Sequence, residues 1–366
     1  MSIAQHILAS LDGPTVTPLV KKLITDHKIF GFILFKRNIE NTEHLIALNN
    51  ELKQIAREVH YEIVIAVDQE GGRVARLTRP DFSAVPPMRA WGDRYNSDLD
   101  LNIFYNLGQI LASEVKLAGF NLNFAPTVDV DINPQSPVIG DRSFSGQPGT
   151  VYKIAAEFIK GHKDQHVIPC LKHFPGHGAT TKDSHLELPH DFRNKTEIKN
   201  TDLLVYEKLM RRGQAPSIMT AHVIYPDFDK EYPATLSQII IEKLLREEMD
   251  FKGVIFSDDL MMRAIADHYP LLDAAIRFFL IGGDIAILGK NTEKAFEIID
   301  ELDTLLSGAH NLDKLADLKE KLARSIKRIT TLKNEFSEPC RDSTGLDFKK
   351  TIARNQKYIN QLFGIA

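Results

Sequence analysis

Residues Lys172 to His185 read KHFPGHGATTKDSH and bring His173, His177 and His185 together with Lys172 and Asp183. Imidazole titrates near neutral pH and can both give and take a proton, so the stretch points to acid/base chemistry centred on a histidine. Asp183 lies two residues before His185, close enough to hold one ring nitrogen while the other faces a substrate. His173, His177, His185 and Asp183 also form a conceivable metal-ligand set. Pro175 and Gly176 separate the first two histidines, however, so the set lacks the i, i+4 helical face of a metal motif. No metal and no other cofactor is expected. Lys172 directly follows the apolar run Val167–Leu171, where an ammonium is costly to bury unless it meets an anion or polar ligand. Gly176, Gly178 and the polar stretch Ala179–Lys182 read as a hinge that lets the loop move, with His185 swinging in when substrate is bound.

Such a loop needs a scaffold. Short apolar runs, several rich in Val and Ile, occur at Ile7–Leu11, Ile29–Phe35, Ile63–Asp68, Asn121–Val130, Val167–His173, Ser217–His222, Val254–Asp259 and Asp284–Leu288. They suit strands buried on both faces. Between them, Asn41–Val59, Leu101–Ala118, Val151–Gln165, Lys195–Arg212 and Ser237–Met249 carry helical apolar spacing. Asn41 or Thr42 offers the N-cap of the first. This alternation predicts an α/β chain folded as a (β/α)8 TIM-type barrel. An open doubly wound sheet is less favoured, because no Gly-rich dinucleotide turn follows the first strand. Beyond Thr292 the chain reads as helices at Glu293–Leu306, Leu312–Asn334 and Asp347–Phe363. We therefore expect a catalytic barrel over residues 1–310 and a C-terminal helical extension, 311–366, packed on it.

Barrels of this type gather function at the C-terminal ends of their strands. Five successive runs end in polar residues: Asp68-Gln69-Glu70-Gly71-Gly72-Arg73, Asp129 followed by Ile139–Phe144, Lys172-His173, His222, and Ser257-Asp258-Asp259. Their convergence on one mouth carries more information than any single residue. Singly, each has a plainer reading: Asp68 as a cap, Arg73, Arg76 and Arg142 as surface charges, His177 as part of the loop's shape, Asp259 as the N-cap of a helix over Leu260–Ile265.

The 366 residues are 43% hydrophobic and 26% charged, the balance of a soluble globular protein, and the net charge is −4. With no extended basic run, nucleic acid and anionic membranes are not expected partners. Cys170 lies within an apolar run and Cys340 is remote in sequence, a usage that fits a reducing compartment. The N-terminus lacks the basic start and apolar core of a secretion signal, and no window reaches transmembrane length. A cytoplasmic location is expected.

KHFPGHG followed by DSH, together with VDQEGGRV, IGDRSF and GVIFSDDLMM, resembles glycoside hydrolase family 3 from about Ile29 to Gly289. The likeness is greatest to the single-domain bacterial β-N-acetylglucosaminidases of peptidoglycan recycling. It implies a retaining exo-β-N-acetylglucosaminidase acting on muropeptides that carry N-acetylglucosamine next to 1,6-anhydro-N-acetylmuramic acid. Asp258 would be the nucleophile, His185 the general acid/base and Asp183 the residue that orients it. Asp68, Arg76, Arg142, Lys172 and His173 would hold the sugar. A phosphorylase, in which phosphate replaces water, and a sugar-binding barrel without catalysis are the rival readings.

Overall fold

A computed structural model describes residues 2–95, 100–181, 187–308, 312–337 and 347–364, with the side chains of the fourth segment described from Leu315. Nine short parallel strands form the sheet: β1 (Ile7–Ser10), β2 (Gly31–Ile33), β3 (Val64–Val67), β4 (Leu122–Asn123), β5 (Ile168–Pro169), β6 (Leu171–Phe174), β7 (Ser217–Thr220), β8 (Val254–Asp259) and β9 (Ile285–Leu288). Their order is β5-β4-β3-β2-β1-β9-β8-β7-β6. Only Cys170 separates β5 from β6, so these two ends are halves of one strand and the sheet closes on itself. The chain is a (β/α)8 TIM-type barrel, as the alternation of runs predicts, with helical C-terminal segments.

Side chains alternate along each strand. Leu8, Val64, Ala66, Leu122, Val254 and Phe256 belong to a buried cluster inside the barrel, while Ile7, Ala9, Ile65, Val67 and Ile255 pack outward against the helices. Apolar residues on both faces explain why the strands read as unbroken hydrophobic runs. The fourth run is shorter than expected. Leu122–Asn123 is all of it that pairs as strand, and Phe124 to Val130 continues as irregular buried chain. The expected helix over Lys195–Arg212 is broken at Thr201 into Lys195–Asn200 and Asp202–Arg211. Asn41 caps the helix Thr42–Glu58, its side chain accepting from the His44 amide at 2.8 Å.

The helix Leu312–Phe336 covers the bottom of the barrel. Its Ile329, Leu332 and Phe336 join the interior cluster, and Arg328 grips buried Asp284 at 2.7 and 2.9 Å. Lys333 donates to the Glu62 carbonyl at 2.8 Å and lies over the rings of Tyr61 and Phe30. Burial pushes its ammonium down to about 8. Between that value and the ordinary lysine range the unfolded chain binds more protons than the folded one, so stability rises with pH there. Lys333→Met is expected to abolish this rise between pH 8 and 9.5. The difference should reach about 1 kcal/mol, discounted because the stem remains partly open to solvent, and is read from urea midpoints of both proteins.

Candidate active site

Two strands lose register by one residue at the same end of the barrel. In β6, Leu171 pairs with Ile218 and Phe174 with Thr220, so Lys172 and His173 together face one residue of β7. In β8, Phe256 pairs with Ile285 and Asp259 with Ile287, so Ser257 and Asp258 share one residue of β9. An extra residue in a ladder bends the strand and re-aims its side chains, and such features concentrate beside active sites. The Ser257 hydroxyl accepts the Ile287 amide at 2.9 Å, satisfying a group that the slip would otherwise leave unbonded.

Lys172 is 2% exposed and does meet anions. Its Nζ lies 2.9 Å from Asp68 Oδ1 and 2.6 Å from Glu70 Oε1. Arg142 approaches Glu70 with both arms of its fork, at 2.9 and 2.7 Å. Arg76 stands 3.6 Å from the other Asp68 oxygen. The run after β3 is folded to allow this. Gly71 and Gly72 take φ values of +99° and +56°, which L side chains rarely adopt. Gln69 accepts the amides of Arg76 and Leu77 at 2.8 and 2.9 Å, turning Arg76 back toward Asp68. Burial opposes ionisation of Glu70, but the Arg142 and Lys172 charges outweigh it and hold the carboxyl well below the usual range. Burial likewise opposes the charge on Arg142, and Glu70 more than restores it. Two carboxylates and three cations thus form a dense cluster of fixed donors and acceptors at the mouth, the kind of surface that orients a polyhydroxylated ligand.

Asp129 organises the first half of the histidine loop. Its carboxylate accepts the His173 amide at 3.2 Å, the His177 amide at 2.7 Å and the His173 Nδ1 hydrogen at 2.7 Å. It is fully buried; burial works against its charge, but the two histidines leave it below the ordinary carboxylate range. The bond fixes the His173 tautomer with Nε2 as the remaining ring position. Burial pushes His177 down to about 4, and its Nδ1 meets the Thr180 hydroxyl at 2.7 Å, so it serves the loop's shape. The glycines here are not a loose hinge. A Cβ on Gly176, whose φ is +150°, would stand 2.2 Å from the Asp202 carboxylate, and one on Gly178 would stand 1.8 Å from the Val130 carbonyl. They are glycine because the backbone passes that close to its neighbours.

Asp258, the next-to-last residue of β8, is half-buried, with Oδ1 accepting the Asp259 amide at 2.8 Å. Burial pushes the thiol of Cys170, in the barrel interior, up to about 12. Asp259 does not cap a helix over Leu260–Ile265. Its side chain accepts the amides of Met261 and Gly289, both at 2.9 Å, and the following helix is only Arg263–Ala266. His222 is buried with Nε2 3.0 Å from the Asp259 carbonyl, tying the ends of β7 and β8.

Asp68, Arg76, Arg142, Lys172 and His173 are therefore drawn to the end of the barrel where Asp258 stands. His185 and Asp183 lie outside the described residues, as does Cys340. Glu70 and Asp129 were not singled out as site residues from sequence. The signal in the sequence is partial: a buried lysine demands an anion, and Glu70 lies two residues beyond Asp68, but nothing local selects it. Among the described residues no helix is long and apolar enough to cross a membrane.

Residues 7–332 match the glycosyl hydrolase family 3 N-terminal domain. Beta-hexosaminidase A of Pseudoalteromonas piscicida is 35% identical over 339 residues, 88% of this chain and 56% of that protein, so the chain spans little more than half of that relative. A beta-hexosaminidase of Neisseria meningitidis serogroup B is 36% identical over 81% of this chain and 80% of its own length. NagZ of Neisseria gonorrhoeae, solved in complex with N-trifluoroacetyl-D-glucosamine, superposes with a TM-score of 0.74 at 31% identity, covering 96% of this chain and 97% of that one.

Proposed function

Because the chain belongs to glycosyl hydrolase family 3 and is a glycoside hydrolase of the β-hexosaminidase type, we propose that it is a retaining exo-β-N-acetylglucosaminidase. Its substrate in this reading is a peptidoglycan fragment with terminal β-linked N-acetylglucosamine next to 1,6-anhydro-N-acetylmuramic acid. The observation that carries the proposal is the placement of Asp258 at the slipped end of β8, in the same mouth as the Asp68–Lys172–Glu70–Arg142 cluster. The relative that holds an N-acylated glucosamine supports the choice of sugar.

The chemistry is a double displacement. The Asp258 carboxylate attacks the anomeric carbon as the glycosidic bond breaks, and His185 gives its proton to the departing oxygen. A glycosyl ester on Asp258 results. His185, now neutral, takes a proton from water as that water attacks the same carbon, and Asp258 leaves as carboxylate with the β-configuration restored. Asp183 holds the second ring nitrogen and stabilises the imidazolium. Asp68, Arg76, Lys172, Arg142 and His173 bind and orient the ring. A cytoplasmic location belongs to the same proposal, and the buried free thiol of Cys170 is compatible with it.

Hydrolysis of a p-nitrophenyl β-N-acetylglucosaminide with release of the β-anomer, followed by proton NMR, tests sugar, linkage and stereochemistry together. Release of the α-anomer, or of sugar 1-phosphate in phosphate buffer, would overturn the hydrolytic, retaining reading. His185→Ala is expected to slow turnover of natural linkages by about 10²–10⁴-fold. With the p-nitrophenyl substrate, whose leaving group needs no proton, the first step should be spared and the second slowed. Stopped-flow measurement should then show a burst of p-nitrophenol close to one equivalent of enzyme.

A further inference from the structure

The helix Phe348–Phe363 stands outside the barrel, and neither the fold class nor the proposed chemistry calls for it. It packs along the segment Phe82 to Arg94, which follows the Asp68–Leu77 run, and on the helix Asn102–Leu117, where the Asn106 amide donates to the Tyr358 hydroxyl at 3.1 Å. Phe348 meets Phe82 edge to face with centroids 5.4 Å apart. Phe363 meets buried Trp91 at 4.8 Å and carries the Arg94 guanidinium over its face at 4.3 Å. Gln356 accepts the Ala84 amide at 2.8 Å. Asn355, 2% exposed, donates to Glu114 Oε1 at 2.9 Å, while Glu114 Oε2 accepts the Ser83 amide at 3.0 Å. Burial raises the Glu114 carboxyl, and it depends on these neutral donors.

The other side of the same segment presses on the sugar-site loops. The Gly72 amide donates to the Val85 carbonyl at 2.9 Å. A Cβ on Gly72 would stand 2.7 Å from Pro87, and one on Gly71 would stand 3.0 Å from the Pro86 carbonyl. Gly92 lies so close to the backbone of Phe144, two residues beyond Arg142, that a Cβ there would be 1.6 Å from the Phe144 carbonyl oxygen. Contacts this tight leave no slack for the segment to move without moving its neighbours.

We infer that the helix Phe348–Phe363 is a positioning element of the sugar site, acting through Phe82–Arg94 on the loops that carry Glu70 and Arg142, with Asn355 and Phe363 as its principal contacts. The inference rests on reading the Glu70–Arg142–Lys172 cluster as the sugar site. Phe363→Ala and Asn355→Leu, each in the full chain, test it by hydrogen exchange and steady-state kinetics. Amides at 71–76 and 140–144 are expected to exchange about tenfold faster than in the parent, with the barrel strands unchanged. KM for the p-nitrophenyl glycoside should rise about five- to tenfold with kcat within about twofold. Phe363→Tyr should match the parent. Faster exchange confined to 82–94 and 348–363, with KM unchanged, would overturn the inference and leave the helix a stabilising strap. If the parent itself does not cleave the glycoside, the sugar reading fails, and the exchange data still decide whether the helix controls the loops.

Discussion

Asp258→Asn should fold normally and lose at least about 10³-fold in kcat, because the amide cannot form the glycosyl ester of the proposed mechanism. The fold is expected to survive for a local reason. The side chain's Oδ1 accepts the Asp259 amide at 2.8 Å, and an asparagine oxygen accepts it equally well. Asp258 is half-buried, and the amide has nearly the same shape as the carboxylate it replaces. Circular dichroism and thermal unfolding should overlay those of the parent while turnover disappears. Asp258→Gly supplied with azide should form the α-configured glycosyl azide from the p-nitrophenyl substrate, since the small anion attacks from the face the carboxylate has vacated. Near-normal hydrolysis by Asp258→Asn would remove the aspartate from the mechanism altogether.

Glu70→Ala is expected to be the most destabilising single change in the site, at about 3–5 kcal/mol. The side chains of Lys172 and Arg142 are 3% and 10% exposed, and Glu70 is the carboxylate they share. Removing it leaves Lys172 with Asp68 and leaves Arg142 with the Val138 carbonyl at 3.1 Å. The pH dependence follows from the depressed carboxyl of Glu70. Its contribution is full above the ordinary carboxylate range and is lost as pH falls toward the folded-state value. The gap in urea-unfolding stability between parent and variant should therefore be constant from pH 8 to about pH 5 and narrow below about pH 4. A gap under about 1 kcal/mol at pH 7 would show that the cluster is looser than its geometry. Activity should fall with stability, because Lys172 and Arg142, which bind the sugar in the proposed function, lose their common anchor.

The barrel was legible because its signal is repetitive. Buried parallel strands need apolar residues on both faces, and the runs from Ile7 to Leu288 have them. The convergence of strand-end polar residues was legible for the same reason: strand direction alone puts Asp68, Lys172 and Asp258 at one end. The partner of Lys172 was legible only as a requirement for an anion. Choosing Glu70 requires the barrel closed and the Gly71-Gly72 turn folded. The break at Thr201 is a tertiary effect. Arg193 reaches back to the Thr201 hydroxyl and the Asp202 carboxylate at 3.0 and 2.8 Å, and no local pattern announces that. The glycines of the histidine loop misled, because flexibility and close approach both call for a residue without a side chain; Asp202 and Val130, distant in sequence, decide between them. The C-terminal helix was legible as a helix packed on the barrel, but not the surface it covers.

The register slips in β6 and β8 give this mouth a metric counted in whole residues. Repacking of nearby side chains moves atoms by fractions of an ångström, but a slip has no intermediate setting: a strand either carries the additional residue or does not. Lys172-His173 occupy such an additional place against β7, and Ser257-Asp258 one against β9, while β7 and β8 pair between them in unbroken register up to Met219 and Phe256. The spacing between Lys172 and Asp258 is thus written into backbone pairing, beyond the reach of loop sequence. Substitutions in the surrounding loops can alter what enters the mouth while the span between these two groups stays as the ladders define it.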